Sequence, residues 1–268
     1  METMNKKLST TAAIVLALMT CVTLLATLSA CSDPSDEEKT THKVNKILFV
    51  GNSFTYYNDI PELVAQIAAG ANVTVTTQSV TQGSCTFTKW ADATDPEGAK
   101  LAAALGAHSD YDAVVLQEHS TRPLTNYNAF LQGAKSLADE IAQTQKNCKI
   151  YLYSTWGYAD AAETRGMTIT QMEAQLRSAY QNAAKAIGAK VSPVGAAFSE
   201  VYLHHSSINL YYEADNKHPS YEGSFLSACV HVATILGVDP RKSTFNGTLD
   251  ETTATLLKSV AYTIVFQS

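Results

Sequence analysis

Basic clusters, paired cysteines and glycine-rich loops are all scarce in this chain, and each scarcity removes a class of function. Lys and Arg number 19 of 268 residues against 25 Asp and Glu, for a formal net charge of −6. No stretch gathers the cations, so the electrostatic footprint that a phosphate backbone needs is missing and nucleic acid is not expected as a partner. The five cysteines form no Cys-x-x-Cys pair and no metal-binding spacing. His204 and His205 are adjacent, with diverging rings, and His108 and His231 have no ligand partner in sequence, so no metal site is expected. Internal repeats and low-complexity segments are likewise absent.

What is present begins with an export signal. Lys6 and Lys7 supply a positive start, the stretch from Ala12 to Leu28 is apolar apart from threonines, and it closes on Leu28-Ser29-Ala30-Cys31. That ending is a lipobox, in which cleavage before Cys31 frees its amine and thiol for lipidation. Several acyl chains on one residue hold a domain at a bilayer, because each buried methylene contributes about 0.8 kcal/mol. An ordinary secretory signal or an uncleaved anchor are the alternatives. Residues 32–43 offer no apolar side chain to a core and read as a solvated tether, with an acidic tract resembling surface-export signals of some diderm bacteria. The expected organisation is therefore a lipoprotein signal peptide over 1–30, a lipidated Cys31 with a disordered tether to residue 43, and one folded domain over 44–268. The expected location is the cell envelope, periplasmic or at the cell surface, held to the membrane through the lipid. Within the domain only Cys85, Cys148 and Cys229 remain, which allows at most one disulfide.

In the domain, short Val/Ile/Leu-rich runs alternate with longer stretches whose apolar residues recur at three and four. The strand candidates are Lys46 to Val50, Val73 to Val80, Ala113 to Gln117, Lys149 to Ser154 and Lys190 to Val194. Helices are predicted over Ile60 to Ala69, Gly98 to Leu105, Tyr127 to Thr144, Thr170 to Ile187, Tyr221 to Leu236 and Glu251 to Phe266. This alternation predicts an α/β fold, a three-layer α/β/α sandwich around a central parallel sheet of about five strands. In open sheets of this kind ligands bind beyond the carboxyl ends of the strands. The segments there are Gly51-Asn52-Ser53, Gln82-Gly83-Ser84, Gln117-Glu118-His119-Ser120 and Thr155-Trp156-Gly157.

A serine hydroxyl is a weak nucleophile at neutral pH, so it needs a histidine to take its proton and an acid to orient that histidine. Asp215-Asn216-Lys217-His218-Pro219-Ser220 offers an Asp and a His three residues apart, in a polar loop just before a predicted helix. Ser53, His218 and Asp215 are accordingly the candidate catalytic residues. No Gly-x-Ser-x-Gly elbow occurs, which argues against the standard α/β-hydrolase arrangement. The loop after the first strand has one glycine and bulky Phe54, Tyr56 and Tyr57, a poor cradle for a phosphate, so no cofactor is expected.

Gly51-Asn52-Ser53, Gly83 and Asp215-x-x-His218, running on through Pro219-Ser220 to Gly223 and an apolar helix, resemble the SGNH/GDSL hydrolases over nearly the whole domain. The resemblance implies a flavodoxin-like strand order and a carboxylic ester hydrolase working through an acyl-enzyme on Ser53. It assigns the oxyanion hole to the amides of Ser53 and Gly83 and to a third donor. Asn52 stands where the family has Asp, and Gln117-Glu118-His119-Ser120 replaces the Gly-x-Asn-Asp run that carries the third donor. A subset of carbohydrate esterases on this fold has a Gln-Gly-Glu run near that place, so the third donor falls to Gln117. The expected substrate is a small-molecule or carbohydrate ester, with deacetylation suggested by an envelope location. Tyr56, Tyr57, Trp90, Trp156 and Tyr158 are candidates for a sugar platform. The altered third block leaves open a non-catalytic glycan-binding lipoprotein on the same fold.

Overall fold

The run Ile47-Leu48-Phe49-Val50 is apolar on both faces of its pleat, which suits a strand covered from both sides. In the computed structural model, which describes residues 44–268, it becomes β1 (Lys46–Gly51). There follow α1 (Ser53–Tyr56), α2 (Ile60–Gly70), β2 (Thr76–Thr81), α3 (Phe87–Trp90), α4 (Pro96–Ala107) and β3 (Ala113–Leu116). Next come α5 (Arg122–Thr125), α6 (Tyr127–Thr144), β4 (Lys149–Tyr153), α7 (Ala161–Arg165), α8 (Ile169–Ile187) and β5 (Lys190–Ser192). The chain ends with α9 (Val194–His204), α10 (Tyr221–His231) and α11 (Glu251–Phe266). The expected signal peptide, Cys31 and the tether lie outside the described residues.

All five strands are parallel, in the order β2-β1-β3-β4-β5, the flavodoxin-like arrangement expected. Helices cover both faces, α10 packing with α2 and α11, and α6 with α3 and α8. The central strands β1 and β3 are buried throughout their apolar runs, whereas the edge strand β2, Thr-Thr-Gln-Ser-Val-Thr, carries polar side chains that tolerate partial exposure. Helix ends follow local chemistry. The Thr168 and Gln171 side chains close a capping box on α8, and Ser220 Oγ accepts the Gly223 amide at the start of α10.

Several spans differ from the sequence reading. β2 starts at Thr76 rather than Val73, because Asn72 takes a left-handed φ of 61° and Val73 still bonds back to Ala68. β5 stops at Ser192, since Pro193 has no amide to extend the ladder, and α9 begins at once. That helix was not anticipated, although Val194, Ala197, Phe198 and Val201, all buried, carry the three-and-four spacing. The predicted helix to Leu236 continues past His231 as a single π turn over Val232–Leu236.

His231 is wholly buried under the sheet, donating to or accepting from Ser192 Oγ at 2.8 Å and packed edge-on against Phe49 and Tyr153. Burial pushes its pKa down to about 3, so it is a neutral core residue. Cys85, Cys148 and Cys229 are all free thiols. Among the described residues no helix is long and apolar enough to cross a membrane, and no group of three or more His, Cys, Asp or Glu side chains could hold a metal ion.

Candidate active site

The turn that carries Ser53 is built by what its neighbours exclude. A Cβ on Gly51 would fall 2.4 Å from Thr55 Oγ1 and 2.7 Å from Gln117 Oε1, so only glycine lets the chain leave β1 at this angle. Asn52 then caps α1, its Oδ1 accepting the Phe54 amide at 3.2 Å. Its Nδ2 donates to the Cys85 carbonyl at 3.1 Å and ties the turn to the loop that carries Gly83. Ser53 is left partly exposed at the head of the helix.

Ser53, His218 and Asp215 come together in one hydrogen-bonded line. His218 Nε2 lies 2.7 Å from Ser53 Oγ, and His218 Nδ1 lies 2.5 Å from Asp215 Oδ2. Asp215 Oδ1 accepts the amides of Lys217 and His218, each at 2.9 Å. Burial alone would raise the Asp215 carboxyl, but the hydrogen bonds from the His218 ring and the two amides outweigh it and hold the pKa below its ordinary value. Asp215 is therefore an anion facing an imidazole nitrogen, which fixes the Nδ1–H tautomer and leaves Nε2 to accept from serine.

The histidine loop is short and heavily fastened. Asn216 takes φ 58°, and its carbonyl accepts the Ala159 amide at 3.0 Å. Trp156 Nε1 donates to the Lys217 carbonyl at 3.0 Å, and Tyr211 bridges Pro219. Tyr57 stacks on the His218 ring with centroids 4.3 Å apart and planes at 12°, and Phe54 packs at 5.2 Å. Sequence reasoning did not find Tyr57 in this role, since an aromatic four residues from a serine carries no signal of what it will cover.

Gly83 lies exposed beside Tyr56, whose Oη would be 3.4 Å from an added Cβ. The left-handed residue of this turn is Ser84, at φ 59°, so Gly83 is not there for positive φ. The amides of Ser53 and Gly83 take no acceptor among the described residues.

Gln117 requires a correction. Its side chain is 0% exposed. Oε1 accepts from the Asn52 amide at 2.9 Å and from Thr55 Oγ1 at 3.0 Å, and Nε2 donates to the Glu118 carbonyl. It lies beneath the nucleophile turn as a buttress, out of reach of a substrate oxygen, and is not brought into the oxyanion site. The burial that decides this is not encoded in the four residues of its block. Glu118, which the sequence shows only as part of that run, is wholly buried and bridges the Phe87 amide (3.1 and 3.2 Å) and the His119 amide (2.6 Å). Burial, which the two amides only partly offset, pushes its carboxyl up to about 7.

The expected sugar platform is also reduced. Trp90, Trp156 and Tyr158 are buried packing residues, Trp156 being stacked between Phe54 and Phe198. Tyr56 is 44% exposed, and Tyr212, at 48%, joins Tyr56 and Tyr57 to form an outward aromatic rim around His218.

A parallel five-stranded sheet with a Ser-His-Asp line at its carboxyl edge defines an α/β fold of the hydrolase kind seen in SGNH proteins, and comparison with solved structures agrees. A candidate SGNH hydrolase from Slackia heliotrinireducens is 28% identical, with a TM-score of 0.60, over 72% of this chain and 99% of that one. A DUF4886 family protein from Bacteroides uniformis matches with a TM-score of 0.72 at 16% identity, over 83% and 95% of the two chains. A lipase/acylhydrolase from Enterococcus faecalis shares the fold at 18% identity and a TM-score of 0.51, over 72% and 96%. No family model and no curated protein matches the sequence.

Proposed function

We propose that the protein is a serine-dependent carboxylic ester hydrolase. The observation that carries this is the continuous Ser53-His218-Asp215 hydrogen-bonded line, at 2.7 and 2.5 Å, beyond the carboxyl end of β1. Ser53 Oγ attacks the ester carbonyl as its proton passes to His218 Nε2, and Asp215 stabilises the imidazolium that forms. The tetrahedral oxyanion is assigned to the amides of Ser53 and Gly83, neither of which takes an acceptor among the described residues. Collapse breaks the bond to the alcohol oxygen, His218 returns the proton to that oxygen, and Ser53 carries the acyl group. Water then repeats the sequence, with His218 as base, and releases the acid.

The exposed rings of Tyr56 and Tyr212, joined through half-buried Tyr57, support a carbohydrate on the alcohol side, because sugar faces pack on aromatic rings. Deacetylation of such a glycan is the reaction inferred. The Leu28-Ser29-Ala30-Cys31 sequence supports action from a lipid anchor at the cell envelope; Cys31→Ala would then move the protein from the membrane fraction to the soluble one. A fluorophosphonate probe tests the chemistry, since only an activated serine reacts. Labelling that maps to Ser53, with hydrolysis of short nitrophenyl esters, is expected. A folded protein that neither labels nor turns over any ester would leave the glycan-binding reading in its place.

A further inference from the structure

Residues 44–268 contain four arginines, and they divide into two kinds. Arg177 pairs with Glu173 at 3.5 Å and Arg241 with Asp239 at 2.8 Å, each within its own element or cap. Arg122 and Arg165 take no carboxylate partner among the described residues, and both lie on the edge of the sheet that carries Ser53. Arg122 opens α5 after β3, its amide bonded to the His119 carbonyl at 2.9 Å, and Arg165 closes α7 after β4. The Nε of Arg122 is buried without any acceptor. A desolvated guanidinium N–H left unpaired is costly, and a ligand oxygen would relieve it.

Resting on the hydrolase reading above, we propose that the site is built for anionic esters, with Arg122 and Arg165 binding a carboxylate carried by the substrate, as on an esterified acidic glycan. Tyr158, on the loop after β4 that leads to Arg165, joins the loop that carries Arg122 to the turn that carries Ser53. Its ring centroid is 6.3 Å from that of Phe54, the residue after the nucleophile, and its Oη meets Ser120 Oγ at 2.5 Å. Lys217 Nζ adds a third cation 5.8 Å above the same ring, though Asp160 pairs with it at 3.3 Å. Electrostatic influence follows the same map. After burial, Arg122 and Arg165 are what lower the pKa of His119, and Arg165 acts on Tyr158 as Asp215 does with opposite sign. Glu118 is near enough to Arg122 to feel its charge, but its carboxyl oxygens accept the Phe87 and His119 amides. A guanidinium meets a carboxylate through two parallel N–H bonds, which gives orientation as well as attraction. The cationic loops after β3 and β4 and the aromatic rim of Tyr56 and Tyr212 are thus the two recognition features a uronate-bearing ester would use.

The test compares an acetylated methyl glucuronoside with its neutral methyl ester and with an acetylated glucose sulfate. The expected result is a kcat/KM ratio of about 100 for the glucuronoside over the neutral compound, shrinking as ionic strength rises. Arg122→Gln and Arg165→Gln should each cut that ratio about tenfold, with partial recovery in Arg122→Lys and Arg165→Lys. A preference for the sulfate over the carboxylate would overturn the assignment to a carboxylate, and a ratio near one, or a ratio unchanged in both Gln variants, would overturn the anion site itself. Calorimetry on Ser53→Ala protein gives a readout independent of turnover. There the glucuronoside should bind more tightly than its methyl ester, and equal binding would count against the proposal even if no ester were hydrolysed. Turnover of the neutral ester without anion preference would instead leave the hydrolase reading standing alone.

Discussion

Tyr57 and His218 lie face to face, with ring planes 12° apart and centroids 4.3 Å apart, so the imidazole is held from its flank as well as by Asp215. An imidazole held at one nitrogen can still swing about that bond. A ring laid flat on its face removes the swing and keeps Nε2 directed at Ser53 Oγ. Tyr57→Phe should therefore keep near-normal kcat, whereas Tyr57→Ala should lower it about tenfold with little change in folding, a loss in the range expected for misplacement of a catalytic group. Steady-state kinetics beside a melting curve checks this, and equal activity of the two variants would show that the stack is incidental.

Ser53→Ala and His218→Ala are each expected to remove nearly all ester hydrolysis, and the double variant to be little worse than either, because the members of such a line act as a unit. Rates that multiply across the double variant would mean that the two side chains work independently.

Gln117→Ala should behave as loss of a support. It strips two acceptor contacts, leaving the Asn52 amide and Thr55 hydroxyl buried and unpaired. Each such group costs about 1–3 kcal/mol, which in a domain of this size lowers Tm by roughly 2–4 °C per kcal/mol. A fall of at least 5 °C is expected, together with reduced kcat. Gln117→Glu keeps the acceptor oxygen but turns a second oxygen, in place of the Nε2 donor, toward the Glu118 carbonyl, and should recover little of the lost stability. An unchanged Tm with a selective kcat loss would restore Gln117 to the oxyanion site.

His231 makes the fold sensitive to acid. Its pKa is about 3 when folded, against about 6.5 for an unperturbed histidine, so below about pH 6.5 the unfolded chain binds the extra proton. The stability associated with a neutral His231 is complete above that pH and is lost as pH falls toward 3, by about 1.4 kcal/mol per unit. Denaturant titrations between pH 7 and 4.5 should show this slope, and a folded His231→Phe variant should show a shallower one. The same slope in both proteins would assign the acid sensitivity to other groups.

The sheet was legible because β1, β3 and β4 are apolar runs long enough to be strands and too short to be helices, with helix-period stretches between them. The grouping of Ser53 with Asp215 and His218 was legible only from the blocks taken together, Gly51-Asn52-Ser53 after a strand and Asp215-x-x-His218 before the last helices, since each residue alone suits a turn or a helix cap just as well. Position along the chain says nothing of depth, and the errors follow from that. Gln117 and Glu118 are polar residues at a strand end, where the sequence allows a group to point outward to a ligand or inward to backbone amides, and both point inward. Trp156 and Tyr158 sit on the catalytic edge in sequence but below its surface in space. The unpaired state of Arg122 and Arg165 could not be read at all, because it depends on which carboxylates the fold keeps away.

The nucleophile and its base are 165 residues apart along the chain. On a ribosome adding about 5–20 residues each second, Ser53 is made roughly 8–30 s before His218 exists. For that interval the serine is an ordinary hydroxyl, since neither His218 nor the Trp156-anchored loop that carries it is in place. On the proposed hydrolase reading, reactivity would arrive in one step, with the docking of the Asp215–Ser220 loop and α10, and unfinished or unfolded chains would be inert toward esters around them.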